Sequence, residues 1–381
     1  MAVRCSIYSA DSSEYFFTCT ADHHIDFLQQ CRDVLGAYRR AVANAGLGND
    51  PAVSISLFLS DVANQEEPLR QLPDFTVTIG KKTAVSILQQ PPIQGKIALQ
   101  AYHVTRAGER RRLTPTGCMA GAACVELARP HYSFLHFRNL RAAEAIGAAE
   151  QTTALMGTEA QGILSFGVTL PEVVRTWLYI HDIDSHYQAV SQARNRLFSR
   201  HGIGAETGFP ASTGIEGRSA DHCDLLQMDA LAIKGLKPGQ SRAMTAPSHM
   251  NPTVEYGVTF ERGRMLVFGD RRHLYVSGTA SIDHQGQILH VNDPARQTAR
   301  AIENIQVLLA ESGARLTDMR CLMVYLRDPQ DAPEVESVLD HSPLRDTPRL
   351  LVKAPVCRPG WLVEIEGIAI DGKGEPDFAP F

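Results

Sequence analysis

Features that would assign the chain to a membrane or disulfide-rich class are missing from its sequence. No apolar run reaches the roughly 20 residues that a bilayer-spanning helix needs, and the first residues lack the apolar core of a signal peptide. The 8 cysteines are scattered without paired spacing, which is typical of free thiols and gives no zinc-ligand pattern. We therefore expect a cytoplasmic protein with no membrane segment and no metal.

An excess of positive charge is also absent. The chain has 37 Lys and Arg against 42 Asp and Glu, for a formal net charge of −5. The one basic run, RAGERRRL, ends at Leu113 and has the composition of a solvated linker. Because nucleic acid is bound largely through its phosphates, this charge balance excludes a nucleic-acid partner from our expectations.

The composition that remains is that of an ordinary globular protein. Apolar residues make up 44% and charged residues 21% of the chain. A length of 381 residues exceeds one average core, so two or three domains are expected.

An internal repeat supports three domains. A helical pattern, a glycine and a strand pattern recur at 31–61, 154–182 and 302–328. In each copy the glycine precedes an aspartate at the end of the strand by 15 positions. The three pairs are Gly46 and Asp61, Gly167 and Asp182, and Gly313 and Asp328. Agreement of all three spacings indicates three copies of one structural unit.

Each copy continues through a second polar helix into a final strand, and paired strands open at least two of the copies. The final strands are at 95–104, 224–233 and 361–370. We predict an α+β fold of three tandem β-β-α-β-α-β-β units, packed around an internal pseudo-threefold axis. The predicted domains are 1–125, which is degenerate, 126–240, which forms a wall of the substrate cleft, and 241–381, which carries the catalytic glutamate.

The stretch at 348–366 is the candidate for chemistry. It is predicted to form two strands joined by a turn at Pro359 and Gly360. Glu364 could transfer a proton beside a carboxylate held by Arg349 or Arg358. An exposed Arg–Glu pair on an ordinary hairpin is the structural alternative.

Alignment of the copies singles out the third one. Where the third copy has Glu364, the second has Gln227 and the first has Ala98. At the position 15 residues earlier, Arg349 is replaced by Ser212 in the second copy and by Thr83 in the first. Only the third copy therefore has an Arg-plus-Glu pair, either because the pair has a function or because the three copies diverged by random drift.

These residues resemble the YjgF-like, reactive-intermediate deaminase family, whose chorismate-mutase-like units form trimers. Arg349 followed by VEIEGIAI, and the strand SGTAS at 277–281, are similar to that family's motifs. A closer resemblance is to the chorismatases, which contain this unit several times. It rests on VRTWLYI, on the helix that follows with Tyr187 and Arg194, and on FPASTGIEGR. Leu178 departs from that pattern, which usually has asparagine there.

The resemblance implies cofactor-independent cleavage of chorismate, a dicarboxylate, into pyruvate and a ring acid. Glu364 would be the general acid. Cys357, seven residues earlier, is similar to the cysteine of chorismatases that form 3-hydroxybenzoate rather than a dihydroxycyclohexadiene acid. The alternative for Cys357 is a packing role. The implied substrate-binding residues are Arg349, Arg358, Arg175, Tyr187, Arg194, Gly278 and Ala280.

Two other functions remain open at this point. One is a deaminase of 2-imino acids, which would use Arg349 for the carboxylate and Glu364 to activate water. The other is a binding protein for small molecules without enzymatic activity. A monomer is expected, because three units complete the pseudo-trimer, and self-association is left open.

Overall fold

The computed structural model describes residues 1–22, 26–48, 50–106, 108–113, 123–142, 144–157 and 162–381. Within these ranges the chain forms three mixed β-sheets, each with helices packed against it. The predicted α+β fold with three units is confirmed.

The first sheet contains β1 (Ala2–Tyr8), β2 (Glu14–Thr20), β3 (Ser54–Leu59), β4 (Ala84–Gln89) and β5 (Ile97–Val104). Its helices are α1 (Phe27–Asn44), α2 (Val62–Gln71) and α3 (Pro73–Thr78). The second sheet contains β6 (Glu109–Leu113), β7 (Ala123–Ala128), β8 (Ser133–Arg141), β9 (Val173–Ile180), β10 (Ala211–Glu216) and β11 (Leu226–Lys234), with α4 (Ala148–Met156) and α5 (Ile183–Arg200). The third contains β12 (Ser241–Met244), β13 (Gly263–Val267), β14 (Arg272–Ala280), β15 (Met319–Leu326), β16 (Arg349–Lys353) and β17 (Val363–Asp371), with α6 (Pro294–Glu311) and α7 (Ala332–Asp340). None of these helices is both long and apolar enough to cross a bilayer.

A core of four strands has the same order in every sheet. The orders are β2-β5-β3-β4, β8-β11-β9-β10 and β14-β17-β15-β16. The last pair in each order is parallel and the other pairs are antiparallel. The additional strands β1, β6, β7, β12 and β13 extend each sheet beyond the first strand of its core. The repeat found in the sequence is therefore a repeat of topology.

The glycine and the aspartate of each copy have the same structural tasks. Gly46, Gly167 and Gly313 all have a positive φ, between 70° and 73°, which a residue without Cβ adopts at least cost. Each of the three aspartates lies just after its strand and just before the next helix or helical turn. The 15-residue spacing thus corresponds to one strand together with the turns before and after it.

The three units pack in a cycle. The edge strand β4 of the first unit contacts β8 of the second, β10 contacts β14 of the third, and β16 contacts β2 of the first. Since β4, β10 and β16 are equivalent, as are β2, β8 and β14, the contacts follow a pseudo-threefold arrangement. Each unit therefore makes two different contacts, one with the unit before it and one with the unit after it.

Two details differ from the sequence prediction. The strands β16 and β17 do not form a hairpin, because β15 lies between them and pairs with both. In addition, β6 and β7 pair within the second sheet, although the first domain was expected to reach residue 125. We propose that the first boundary lies between residues 104 and 109, where the chain passes from one sheet to the next; the boundary at 240/241 stays a prediction.

Candidate active site

A cavity of about 270 Å³ lies where the second unit meets the third, between β10 and the strands β14 and β17. Helix α5 also contributes to its wall. The lining consists of Tyr187, Arg194, Ser212, Thr213, Gly214, Val258, Phe260, Arg262, Gly278, Ala280, Ile282, Cys357, Arg358, Trp361 and Glu364.

Glu364 is the only carboxylate of this described lining. The residue is 5% exposed, and its side chain makes no hydrogen bond to any residue in the described part of the chain. Burial and the neighbouring charge of Glu366 raise the pKa of Glu364 to about 8, and the positive charges of Arg175 and Arg262 only partly offset this. At neutral pH the group is therefore largely a carboxylic acid, which can donate a proton to a ligand in the cavity.

Gly278 makes room for that acid. The pairing of β14 with β17 shifts register between Val276 and Thr279, a bulge that includes Gly278. The amide of Gly278 donates a hydrogen bond to Thr213 Oγ1 at 3.0 Å, which joins the bulge to β10. A Cβ on Gly278 would overlap the carboxyl group of Glu364. The glycine at this position thus allows the two strands and the acid to share one wall.

Glu366, two residues along β17, is held in a different way. Its carboxylate accepts hydrogen bonds from the side chains of Arg175 and Thr213. It also accepts from Trp177 Nε1 at 2.8 Å and from the Tyr325 hydroxyl at 3.0 Å. Four donors, one of them a guanidinium, thus surround this carboxylate. Two adjacent carboxyl groups on one strand face therefore have opposite environments, one without hydrogen-bond donors and one saturated with them.

Three guanidinium groups give the cavity a positive lining. Arg194 donates to Ser212 Oγ at 3.1 Å, and Arg262 donates to the carbonyl of Asn251 at 3.0 Å. Arg358 lies over the ring of Trp361, 4.8 Å from its centroid. Three guanidinium groups and one largely protonated carboxyl group thus line the cavity together, a combination that suits an anionic ligand.

Cys357 lies beside the acid on the same wall. Burial and the charge of Glu364 raise the pKa of its thiol to about 12, while a hydrogen bond with Tyr187 acts in the opposite direction. The thiol therefore stays protonated at neutral pH. It can exclude water and act as a weak hydrogen-bond partner, but it is not a thiolate nucleophile.

Most of the site residues expected from the sequence meet in this cavity. They are Glu364, Cys357, Arg358, Tyr187, Arg194, Gly278 and Ala280. Arg349 does not meet them, because its guanidinium bonds Asp340 and the carbonyl of Arg345. Arg175 does not line the cavity either, and instead forms a buried ion pair with Glu366 behind it.

Several lining residues were not predicted. Ser212 and Thr213 belong to the FPASTGIEGR motif, so the motif located them without indicating their role. Arg262 and Phe260 precede β13 in a stretch that has no recognisable pattern. The importance of Glu366 could have been suspected only from its alternation with Glu364 on one strand face.

The described lining contains no cluster of metal ligands. One group of three neighbouring ligand-type side chains exists in the described ranges, Asp221, His222 and Cys223, and all three residues are exposed and outside the cavity. The lining itself combines a buried carboxyl group with three guanidinium groups, side chains that suit acid–base chemistry on an anion.

Some known proteins are similar to one unit of this chain, and others are similar to most of it. The family described as Endoribonuclease L-PSP matches residues 267–371. The 3-aminoacrylate deaminase RutC of Acinetobacter baylyi is 32% identical over 97 residues, which cover 25% of this chain and 77% of that protein. A 3-hydroxybenzoate synthase of Streptomyces hygroscopicus is 27% identical over 248 residues, covering 58% of this chain and 69% of that protein.

Among solved structures, a crystal structure of a chorismatase has a similar fold. The superposition has a TM-score of 0.65 at 20% sequence identity and covers 96% of this chain and 99% of the other. At this identity the likeness concerns the arrangement of all three units, including the first one.

Proposed function

We propose that the chain cleaves the enolpyruvyl ether of chorismate. The premise is that it belongs to the YjgF-like family described as Endoribonuclease L-PSP, and within it to the chorismatases. The favoured products are pyruvate and 3-hydroxybenzoate. The observation that carries this proposal is a buried Glu364, its pKa raised to about 8, that faces a cavity with three arginines.

The first step is protonation of a carbon atom. Glu364 transfers its proton to the methylene carbon of the enolpyruvyl group, which leaves positive charge on the ether carbon and weakens its bond from oxygen to the ring. The carboxyl group is suited to this task because burial keeps it protonated near neutral pH. Once the ring–oxygen bond breaks, its electron pair leaves with pyruvate.

The second step decides the product. If the neighbouring ring hydroxyl captures the electron-deficient ring carbon, an epoxide-like species forms and the hydroxyl proton returns to Glu364. Opening of the epoxide at the other carbon, loss of the proton from the carbon that keeps the oxygen and protonation of that oxygen give 3-hydroxybenzoate, with no net change in protons and no water consumed. If water captures the carbon instead, the product is a dihydroxycyclohexadiene acid. The two outcomes differ only in which oxygen reaches the carbon.

The substrate's two carboxylates require cationic partners. Arg194 and Arg358 were expected to serve, and Arg262 takes the place that Arg349 was expected to hold. Arg194 and its hydrogen-bond partner Ser212 belong to the second unit, whereas Arg262, Arg358 and Glu364 belong to the third. The substrate would thus bridge the two units. A cytoplasmic location and a monomeric state stay predictions.

The direct test is to incubate the purified protein with chorismate and to analyse the products by chromatography and mass spectrometry. We expect pyruvate and 3-hydroxybenzoate in equal amounts. A second incubation supplies an enzymatically generated 2-imino acid. Ammonia release there without chorismate cleavage would identify a deaminase, and inactivity in both, with chorismate still bound, would identify a binding protein.

The activity should depend on pH through Glu364. Because the acid is lost as the pH rises through its pKa of about 8, kcat/KM should fall above that pH. In Glu366→Gln the like charge disappears and Arg175 loses its partner, and both changes lower the pKa of Glu364. The alkaline limb of the profile should then move to lower pH. If the alkaline limb did not move in Glu366→Gln, Glu366 would have no influence on the pKa of Glu364. This conclusion would hold whatever the maximal kcat/KM of the variant.

Product choice should depend on Cys357. The neutral thiol fills the wall beside Glu364 and forms a hydrogen bond with Tyr187, so it can keep water from one face of the ring. In Cys357→Ala, loss of about 1 kcal/mol of preference would change the product ratio roughly fivefold toward the non-aromatic diol. Chromatography of both product mixtures measures this ratio. An unchanged ratio with intact turnover would mean that Cys357 is only a packing residue. The product would then be determined by the ring orientation that the arginines impose.

A further inference from the structure

A second cavity, of about 110 Å³, lies where the three sheets meet. Its walls come from β2, β3 and β5 of the first unit, β8, β9 and β11 of the second, and β14, β15 and β17 of the third. It is separated from the candidate active site by the hydrogen bonds between Thr213, Arg175 and Glu366, since Thr213 lines only the first cavity and Arg175 only the second. This central cavity has no part in the proposed reaction.

Two guanidinium groups dominate the central cavity. Arg138 and Arg175 lie over the ring of Trp177, with their central carbons 5.0 and 4.7 Å from its centroid. Arg175 is 2% exposed, and its Nη1 has no hydrogen-bond partner. A buried donor without a partner is costly, so a group that accepts hydrogen bonds is expected next to it.

Arg138 is even less well satisfied. Its hydrogen bonds to Ser54 Oγ and to the carbonyl of Phe137 are long, 3.4 and 3.5 Å, and Asp229 lies at 3.7 Å. Its buried Nε has no hydrogen-bond partner. Each contact is near or beyond the outer limit for a hydrogen bond, so Asp229 is the counter-ion of Arg138 without satisfying its donors.

The remaining lining does not supply acceptors for these two nitrogen atoms. Among the lining residues that the structure describes, Glu366 is the only carboxylate, and four donors already occupy it. His136 is neutral, since burial and the charge of Arg138 lower its pKa to about 3. Asp229 and Glu366 thus balance the two positive charges, but each guanidinium group keeps a buried nitrogen atom without an acceptor beside a space large enough for a small ion.

We propose that the central cavity binds a small monovalent anion, such as a halide or formate, between Arg138 and Arg175. The anion would accept hydrogen bonds from the unpartnered nitrogen atoms of both guanidinium groups. It would satisfy these buried donors of the second unit at the position where the three sheets converge.

Fluorescence gives a solution test, because the chain has 2 tryptophans and Trp177 lines this cavity. In a Trp361→Phe background, iodide titration at constant ionic strength should quench Trp177 with saturation, and formate should compete. Arg138→Gln should raise the dissociation constant roughly tenfold or more, as expected for loss of one charge-assisted hydrogen bond. The exposed Arg315→Gln is the matched control and should leave the constant unchanged. Linear quenching without saturation would overturn the proposal.

Crystals of the wild-type protein soaked in sodium bromide give a test that needs no variant. An anomalous peak between Arg138 and Arg175, together with saturable quenching, supports the site. Water alone at that position would overturn the proposal, as would a bromide peak in crystals without saturable binding in solution.

Discussion

Glu364→Gln should reduce turnover of chorismate by about 10²–10⁴-fold or more, since general acid catalysis is typically of that size. The amide of glutamine has the shape of the carboxyl group and can still form hydrogen bonds in the cavity. It has no proton that it can transfer to carbon. The loss should therefore appear in kcat, measured by pyruvate release, while the dissociation constant for chorismate changes little.

The control for this prediction is Glu311→Gln, at the exposed end of α6. This variant makes the same substitution far from the cavity and should keep normal turnover. If Glu364→Gln retained turnover within a few-fold of the wild type, another group would have to supply the proton. Loss of binding together with turnover would instead indicate that Glu364 holds the substrate rather than protonates it.

The repeat and the position of the acid could be predicted from the sequence because both depend on local patterns. Glycines at positive φ and aspartates after strands are set by the backbone of one unit. The alignment of copies is also borne out by strand register. Glu364 pairs with Tyr325 on β15, Gln227 with Tyr179 on β9, and Ala98 with Phe58 on β3, so the three positions are equivalent.

The partner of Glu364 could not be predicted in this way, because it depends on how units pack. Arg349 lies on β16, which contacts the first unit, whereas Glu364 faces the cleft that β10 of the second unit closes. In that cleft the position equivalent to Arg349 is held by Ser212, and Arg194 reaches it from α5. An Arg and a Glu of one copy thus contribute to different clefts.

The buried charge network was hidden for the same reason. Arg175 from the second unit and Glu366 from the third are 191 residues apart in the chain, and neither has a local pattern that reveals the other. Yet the network affects the chemistry, because burial and then the neighbouring charge of Glu366 raise the pKa of Glu364. Contacts between units therefore determine the protonation of a residue that a motif within one unit located.

Gly278→Ala should abolish most of the activity without unfolding the protein. The new Cβ would overlap the carboxyl group of Glu364 and approach the methyl group of Thr213, so the acid must rotate away or β14 must move. A displacement of about 1 Å of a catalytic group can cost roughly 10²-fold in rate. We expect a loss of that size or more in kcat/KM.

The matched control is Gly204→Ala, where an added Cβ would meet no atom within 4 Å. Both variants add one methyl group, but only the one at Gly278 places it against the acid. Turnover should therefore fall in Gly278→Ala and stay normal in Gly204→Ala, with circular dichroism spectra that match the wild type in both. Smaller loss of rate, within a few-fold, would mean that Glu364 can act from a second rotamer, and that the bulge in β14 serves the fold rather than the position of the acid.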